Sequence, residues 1–195
     1  NIFFPMRKDS EEVSDHDVGL LSEEYHYYDY IASDKPLSQI KWAGSENLFE
    51  ADIDVEVSKM LAKIADENGG GRPDLALFHE EGSAVIVEFK APGVSLDGDV
   101  GDVTEYATLL AAKSNGKLKK FYGYLIGDTV NPVRLQSYNK LPGASGFFNT
   151  SNIREPDTQV AIGQLYSELI FYKDVVERSR KRIGVYKARL KLPEN

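Results

Sequence analysis

Apolar residues recur at helical spacing in two segments of the first third of the chain. Between positions 20 and 32, apolar residues three or four positions apart predict a helix that ends before Asp34-Lys35-Pro36; they are Leu21, Tyr25, Tyr28 and Ala32. A second helix is predicted to begin at Ser45-Glu46. Its apolar stripe consists of Ile53, Val57, Met60, Leu61 and Ile64. The polar and glycine-rich residues 68–71 end this second pattern.

The period then changes to that of β-strands. Short apolar runs at 75–78 and 84–89 are joined by Glu80-Glu81-Gly82-Ser83, a sequence typical of the turn in an antiparallel hairpin. A helical pattern at 103–113 follows, and a third apolar run at 121–126 ends at Gly127-Asp128.

The last third of the chain gives weaker signals. Residues 133–138 are predicted as a strand, and residues 139–156, with two glycines and two prolines, as a loop or irregular strand. A long helix is predicted after Asp157, capped by Asp157 or Thr158. Its apolar stripe would consist of Ile162, Leu165, Leu169, Tyr172 and Val176.

This order of elements predicts an α/β protein with a mixed central sheet. The hairpin argues against a purely parallel, doubly wound sheet, because its two strands are antiparallel. We divide the chain into an N-terminal helical or irregular extension, residues 1–44, and an α/β domain, residues 45–195, that ends in a basic helix.

Acidic residues occupy positions where a buried strand disfavours them. Asp74 opens the first strand of the hairpin, and Glu88 lies within the apolar run of the second, two residues before Lys90. Because side chains alternate along a strand, Glu88 and Lys90 are predicted to share one face. If the two strands pair, Asp74 can lie beside Glu88, and two carboxylates with a backbone carbonyl are suitable ligands for Mg²⁺. A turn at Asp74 and a surface ion pair between Glu88 and Lys90 form the alternative interpretation.

The segments Arg72-Pro73-Asp74-Leu75-Ala76-Leu77 and Val85-Ile86-Val87-Glu88-Phe89-Lys90-Ala91-Pro92 resemble the core motif of the PD-(D/E)xK, or restriction-endonuclease-like, nuclease superfamily. The resemblance covers roughly residues 46–128. It implies a three-layer core with a mixed sheet flanked by helices, in the order α-β-β-β-α-β, followed here by the long C-terminal helix. One strand of that order is not identified securely in the sequence.

The resemblance also implies roles for particular residues. Asp74 and Glu88 would bind Mg²⁺ or Mn²⁺, the carbonyl of Phe89 would assist, and Lys90 would be the catalytic lysine. A further carboxylate is expected from the preceding helix, where Glu56 is preferred to Glu50. Related nucleases often carry a glutamine at the position that Asp102 occupies here, so no glutamine role is assigned.

The charge of the chain is unevenly distributed. The net charge is −8. Residues 173–195 nevertheless contain eight basic and only three acidic side chains. A basic helix on an acidic body is compatible with contacts to phosphates, and we expect four of its residues to bind nucleic acid: Arg178, Arg180, Lys181 and Arg182. A solvated helix face explains the same composition.

Composition narrows the expected setting of the protein. The sequence contains no cysteine, which excludes disulfides and thiol nucleophiles and fits the reducing cytoplasm in which we expect the protein. No apolar run is long enough to span a membrane, and no signal peptide is visible. The chain begins at Asn1, and residues 21–37 resemble a region of bacterial proteins that couple an ATPase domain of the histidine-kinase type to a nuclease-like region. An upstream ATPase domain is therefore expected, and a homodimer is a further expected assembly.

Together these patterns predict a metal-dependent nuclease that hydrolyses phosphodiester bonds, with DNA as the expected substrate. The alternative is a catalytically inactive nuclease-like module that binds nucleic acid or a partner protein.

Overall fold

The fold is taken from a computed structural model, which describes residues 3–18, 21, 27–42, 46–68 and 74–191, without the side chains of residues 63–68. The helices are α1 (Ile53–Asn68), α2 (Asp102–Lys113) and α3 (Tyr172–Leu190). The longer strands are β2 (Tyr30–Ser33), β5 (Leu75–His79), β6 (Ser83–Phe89), β7 (Lys120–Gly127), β9 (Phe147–Arg154) and β10 (Ala161–Phe171). Four two-residue strands complete the set: β1 (Lys8–Asp9), β3 (Lys41–Trp42), β4 (Glu46–Asn47) and β8 (Asn139–Lys140).

Eight strands form one mixed sheet in the order β1-β2-β5-β6-β7-β10-β9-β8. Strand β5 is antiparallel to both of its neighbours, β2 and β6. Strand β7 is parallel to both β6 and β10, and β9 is antiparallel to β10. Helix α2 connects the parallel strands β6 and β7, as a crossover connection requires. The chain is therefore an α/β protein with a mixed central sheet, as predicted.

Apolar side chains cover both faces of this sheet. On one face, Ile86 of β6 packs in a cluster with residues of α1 and α2, among them Val57 and Leu110. On the other face, Val87 packs with the N-terminal residue Phe4 and with the first turn of α3. Since successive residues of a strand point to opposite faces, Glu88 lies on the α1 and α2 face.

Part of the segment expected to lie outside the α/β domain contributes to its sheet. Strand β2 pairs with β5, with Ile31 opposite Leu77, and β1 pairs with β2. Phe4 and Val18 are buried in the core. Residues 1–44 therefore include two strands of the sheet.

The predicted hairpin, the predicted helix at 103–113 and the predicted strand at 121–126 are confirmed, with boundaries that differ by one residue at most. The second predicted helix is present, but it begins at Ile53, because Glu46–Asn47 is a short strand paired with Lys41–Trp42. Ile53 and Val57 of its stripe are fully buried. The amphipathic pattern therefore identified the helix but placed its start too early.

The helix predicted directly after Asp157 is wrong over its first part. Residues 161–171 form the longest strand of the sheet, and the helix begins only at Tyr172. Leu165 and Leu169 are four positions apart, a spacing that fits both a helix and one face of a strand. Ser167 between them is also buried, so the alternation follows the period of a strand.

Two other predictions fail for local reasons. The helix predicted over 20–32 is replaced at its end by the strand Tyr30–Ser33, while residues 20 and 22–26 lie outside the described residues. The strand predicted at 133–138 is a 3₁₀ helix, Pro132–Leu135, which Asn131 caps by accepting a hydrogen bond from the backbone of Val133. Residues 147–154 lie in the segment predicted as a loop or irregular strand and form strand β9, whose pairing with β10 is irregular between Ala161 and Gly163.

Among the described residues, no helix combines the length and the apolar character that a membrane span demands.

Gly123 of β7 provides a test of the packing between the sheet and α2. A Cβ atom at Gly123 would lie 2.0 Å from Cγ1 of Val103. We expect Gly123→Ala to lower the free energy of unfolding by about 1–3 kcal/mol, because the core must shift to accept the added methyl group. Gly101→Ala is the matched control, since a Cβ there meets nothing within 4 Å. Urea unfolding of both variants measures the difference, and equal stabilities would contradict this packing.

Candidate functional site

The β5–β6 hairpin brings Asp74 and Glu88 together. Leu75 lies opposite Val87 in the register, so Asp74, one residue earlier, lies opposite Glu88 at the end of the two strands. An Oδ2 oxygen of Asp74 accepts a hydrogen bond of 2.8 Å from the backbone N–H of Phe89. On the other side, the hydroxyl of Ser33 donates to the backbone carbonyl of Asp74. The predicted pairing of the two carboxylate residues is therefore present. Pro73, which precedes Asp74 in the motif, lies outside the described residues.

Lys90 lies beside Glu88, as the alternation predicted. Its ammonium nitrogen is 3.1 Å from Oε1 of Glu88 and 2.9 Å from Oδ1 of Asp99. The backbone of Lys90 is also held on both sides, because its N–H donates to the carbonyl of Ile126 and its carbonyl accepts from the hydroxyl of Tyr172. The side chain is only 16% exposed. Both the backbone and the ammonium group are therefore fixed in place.

Sequence reasoning missed Asp99. This residue lies in the connection between β6 and α2, it is buried, and its carboxylate completes an ion triad with Lys90 and Glu88. Its carbonyl accepts a hydrogen bond from the N–H of Asp102, the first residue of α2. The signal in the sequence was the acidic series Asp97, Asp99 and Asp102 shortly after Lys90. Only the folded connection shows which of these carboxylates turns inward.

Burial controls the protonation of the acidic residues at this site. It raises the pKa of Glu88 to about 7. The charge of Lys90 opposes this increase, and the charge of Asp74 adds to it. Burial also raises the pKa of Asp74, and burial with the charge of Asp99 raises the pKa of Asp102 to about 6. Burial by itself would lower the pKa of Lys90, but the charges of Glu88 and Asp99 outweigh it and raise that pKa. One cation therefore faces four carboxyl groups in a largely desolvated site.

The carboxylates expected from α1 do not reach this site. Glu56 forms an ion pair of 2.7 Å with Lys59, and Glu50 forms one of 2.8 Å with Lys113. Lys113 ends helix α2, whereas Asp102 begins it, and 12 residues of helix span about 17 Å. The structure therefore brings neither Glu56, the preferred candidate, nor Glu50 to the site.

The cleft that Glu50 and Glu56 line is also separate from the site at Asp74 and Glu88. Lys120, at the beginning of β7, lines that cleft too. Glu88, in contrast, lies opposite Leu125, near the end of β7. The resemblance implied a helix carboxylate at the site, but the structure provides Asp99 and Asp102 from the segment that leads into α2.

The basic residues of α3 do not line this site. The first turn of the helix packs on the face that carries Val87, opposite to the face of Glu88. Arg178 lies 3.8 Å from a carboxylate oxygen of Glu168, and Arg182 donates to the backbone carbonyl of Leu21. Arg180 and Lys181 are exposed. The predicted nucleic-acid contacts therefore lie on the other side of the sheet.

The raised pKa of Glu88 has a consequence for stability. A carboxyl whose pKa is higher in the folded state than in the unfolded state stabilises the fold when protonated, and this contribution is lost as the pH rises from about 4.5 to about 7. We expect Glu88→Gln not to lose stability in this way, because glutamine does not ionise. In the presence of EDTA, its stability relative to the parent should increase by on the order of 3 kcal/mol between pH 4.5 and pH 8.

Urea unfolding across this pH range measures the difference, with Glu105→Gln as a control on the exposed side of α2. If the difference in the free energy of unfolding between Glu88→Gln and the parent did not change with pH, that result would contradict the raised pKa of Glu88.

In the part of the chain that the structure describes, no group of three or more histidine, cysteine, aspartate or glutamate side chains is arranged to hold a metal ion. Comparisons with protein-family models, with curated proteins and with solved structures found no match. The chemistry of the site itself is therefore the basis for assigning a function.

Proposed function

We propose that this protein is a metal-dependent phosphodiesterase that hydrolyses nucleic acid, with DNA as the expected substrate. The observation that carries the proposal is the position of Asp74 opposite Glu88, with the ammonium group of Lys90 on the same side of the sheet end. Two carboxylates beside a fixed ammonium are the groups needed to hold a divalent cation and to stabilise charge on a phosphate.

The donor set fits Mg²⁺ or Mn²⁺ better than softer metals. Asp74 and Glu88 offer hard oxygen ligands, and their burial leaves two carboxylates close together with their charges only partly compensated. Mg²⁺ is usually held by one or two carboxylates and keeps several water molecules, so a third side-chain ligand is not required. The carbonyl of Phe89 is the further ligand implied by the family resemblance. When bound, such an ion would polarise the phosphate and lower the pKa of a coordinated water molecule.

The protein's own groups have distinct roles in this proposal. The ammonium group of Lys90 has three N–H donors, of which Glu88 and Asp99 engage two, so one is left to bind an oxygen of the phosphate. Asp99 keeps the ammonium charged and oriented. Glu88 would hold the ion together with Asp74, which it faces across the hairpin.

The arrangement of the strands also supports a restriction-endonuclease-like core. Three antiparallel strands, β2, β5 and β6, are followed by helix α2 and by β7 parallel to β6. Strand β2 is a third antiparallel strand, which the sequence did not predict. That strand precedes α1 in the chain, whereas the order implied by the resemblance places all three after the helix.

A second candidate is a catalytically inactive module of the same fold that binds nucleic acid or a protein. The ion triad favours it, because Glu88 and Asp99 both bind Lys90, so one of the two expected metal ligands already has a cationic partner. In this case the triad would serve only to stabilise the connection between β6 and α2.

A nicking assay on supercoiled plasmid tests the proposal. With Mg²⁺, we expect the parent to nick DNA, and Asp74→Asn and Lys90→Gln to lose activity by about a hundredfold or more, because each removes a group that acts on the phosphate or the ion. Glu56→Gln is the matched control and should retain activity within about twofold, since Glu56 pairs with Lys59 away from the site. Circular dichroism establishes that each variant is folded.

Nicking by Asp74→Asn at the parental rate would overturn the assignment. Calorimetry with Mn²⁺ separates the two candidates: the phosphodiesterase requires a binding site that is lost in Asp74→Asn, whereas the inactive module requires none.

A further inference from the structure

The described residues cover the face of the sheet that carries α3 over only part of its length. Near the end of β6 and β7, apolar residues of this face pack against the N-terminal segment and the first turn of α3; they include Val87, Ile126 and Ile170. Towards the start of β7 the same face is open and carries aromatic and polar side chains. Because this region lies on the opposite face from Glu88, it forms no part of the proposed catalytic site.

Three aromatic rings lie side by side on the open part of this face. Tyr122 of β7 lies directly opposite Tyr166 of β10 in the register, with ring centroids 6.4 Å apart. Phe148 of β9 stacks on Tyr166, with centroids 6.0 Å apart and planes inclined by 27°. Tyr122 is 37% exposed, and the other two rings are half-buried. The three rings thus form an aromatic row across three adjacent strands.

Two cavities adjoin this row and share Tyr122. One, of about 460 Å³, is lined on β9 and β10 by polar side chains that include Thr150, Asn152 and Gln164. The other, of about 330 Å³, continues across β6 and β5 to His79 and Tyr27. We call the two cavities and the row the aromatic trough. It crosses five neighbouring strands, which corresponds to about 19 Å at ordinary strand spacing.

The basic helix α3 borders the aromatic trough. The hydroxyl of Tyr166 donates to a carboxylate oxygen of Glu168, and the other carboxylate oxygen lies 3.8 Å from the guanidinium of Arg178. Lys181, three positions after Arg178, lies on the same side of α3 and is exposed, whereas Arg180 lies on another side of the helix. One carboxylate therefore connects the aromatic rings to the side of α3 that carries Arg178 and Lys181.

We infer that the aromatic trough and the adjoining side of α3 form a binding site for single-stranded nucleic acid. Half-exposed rings offer π-faces on which unpaired bases stack, amide and hydroxyl groups at the edges of the rings can bind base edges, and the basic side chains can bind phosphates. Paired bases of a duplex are stacked within the helix and cannot reach the rings. The inference does not depend on the proposed catalysis.

The chemistry of the lining favours this occupant over a second protein. The centre of a protein interface is usually apolar, whereas around these rings the exposed side chains are amides, hydroxyls, Lys120 and, in the smaller cavity, Glu81. The aliphatic residues of the two cavities, Leu165 and Val85, are buried in the core. The positive charge of the basic side chains of α3 complements the negative charge of phosphate.

Binding of fluorescent oligonucleotides, measured by anisotropy in EDTA, tests the inference. We expect a 20-nucleotide single strand to bind more tightly than the matching duplex, and the affinity to fall as salt is raised. Tyr122→Leu and Tyr166→Leu should each raise the Kd about fivefold to a hundredfold, because each removes a stacking ring. Tyr122→Phe is the matched control, since it keeps the ring, and it should bind as the parent does.

Photocrosslinking of the parent protein to an oligonucleotide that contains 5-bromouracil gives a measurement that does not depend on the folding of any variant. Crosslinks in the peptides that contain Tyr122, Phe148 or Tyr166 support the site. Three results would overturn it: crosslinks confined to α3, equal affinity for single strand and duplex, or Tyr122→Leu and Tyr166→Leu proteins that are folded and bind as the parent does. A parent that does not bind single strands at low salt would also overturn it, whatever the outcome of the plasmid assay.

Discussion

Strand β5 pairs with β6 so that Leu75 lies opposite Val87, and this register determines the geometry of the catalytic candidate. It places Asp74 opposite Glu88, and it directs the side chains of Glu88 and Lys90 to the side of the sheet that α2 covers. A shift by one residue would send both side chains to the opposite face. Both strands bury apolar side chains on each face of the sheet, so the turn between them, rather than an alternation of buried and exposed residues, sets this register.

Because the hairpin is buried, placing charged side chains at its end costs free energy. Desolvation raises the pKa of Asp74, Glu88 and Asp102, and the ammonium of Lys90 compensates only part of that cost. Such a site has a strong tendency to take up either protons or a cation. In the proposed function, a divalent ion would offset the same electrostatic cost that reduces stability at high pH, and this would link the stability of the protein to its chemistry.

The two candidate sites lie on opposite faces of one sheet and use different chemistry. The site at Asp74 and Glu88 is acidic and largely buried, which suits a metal ion and a phosphate. The aromatic trough is open, and its rings and the cations of α3 suit unpaired bases and the phosphates between them. In these proposals a chain of negative net charge would bind nucleic acid through α3, in which seven basic side chains stand against two acidic ones.

The sequence by itself determined the local elements whose period is unambiguous. The hairpin and β7 were predictable from short apolar runs bounded by turn residues, and α2 from its helical stripe. The adjacency of Asp74, Glu88 and Lys90 was predictable too, because a hairpin register is a local property. Strand β10 was not predictable, since Leu165 and Leu169 fit a helix as well as a strand and only pairing with β7 and β9 distinguishes them.

Tertiary structure alone decided which distant residues share a site. Glu56 was a reasonable partner for Asp74 on the basis of the family resemblance, but the packing of α1 against the sheet places it far from the hairpin end. The turn before α2 brings Asp99 to Lys90 instead. The pairing of Tyr122 with Tyr166 joins strands that are more than 40 residues apart in sequence. Such contacts depend on the order of strands in the sheet, which short-range periodicity does not encode.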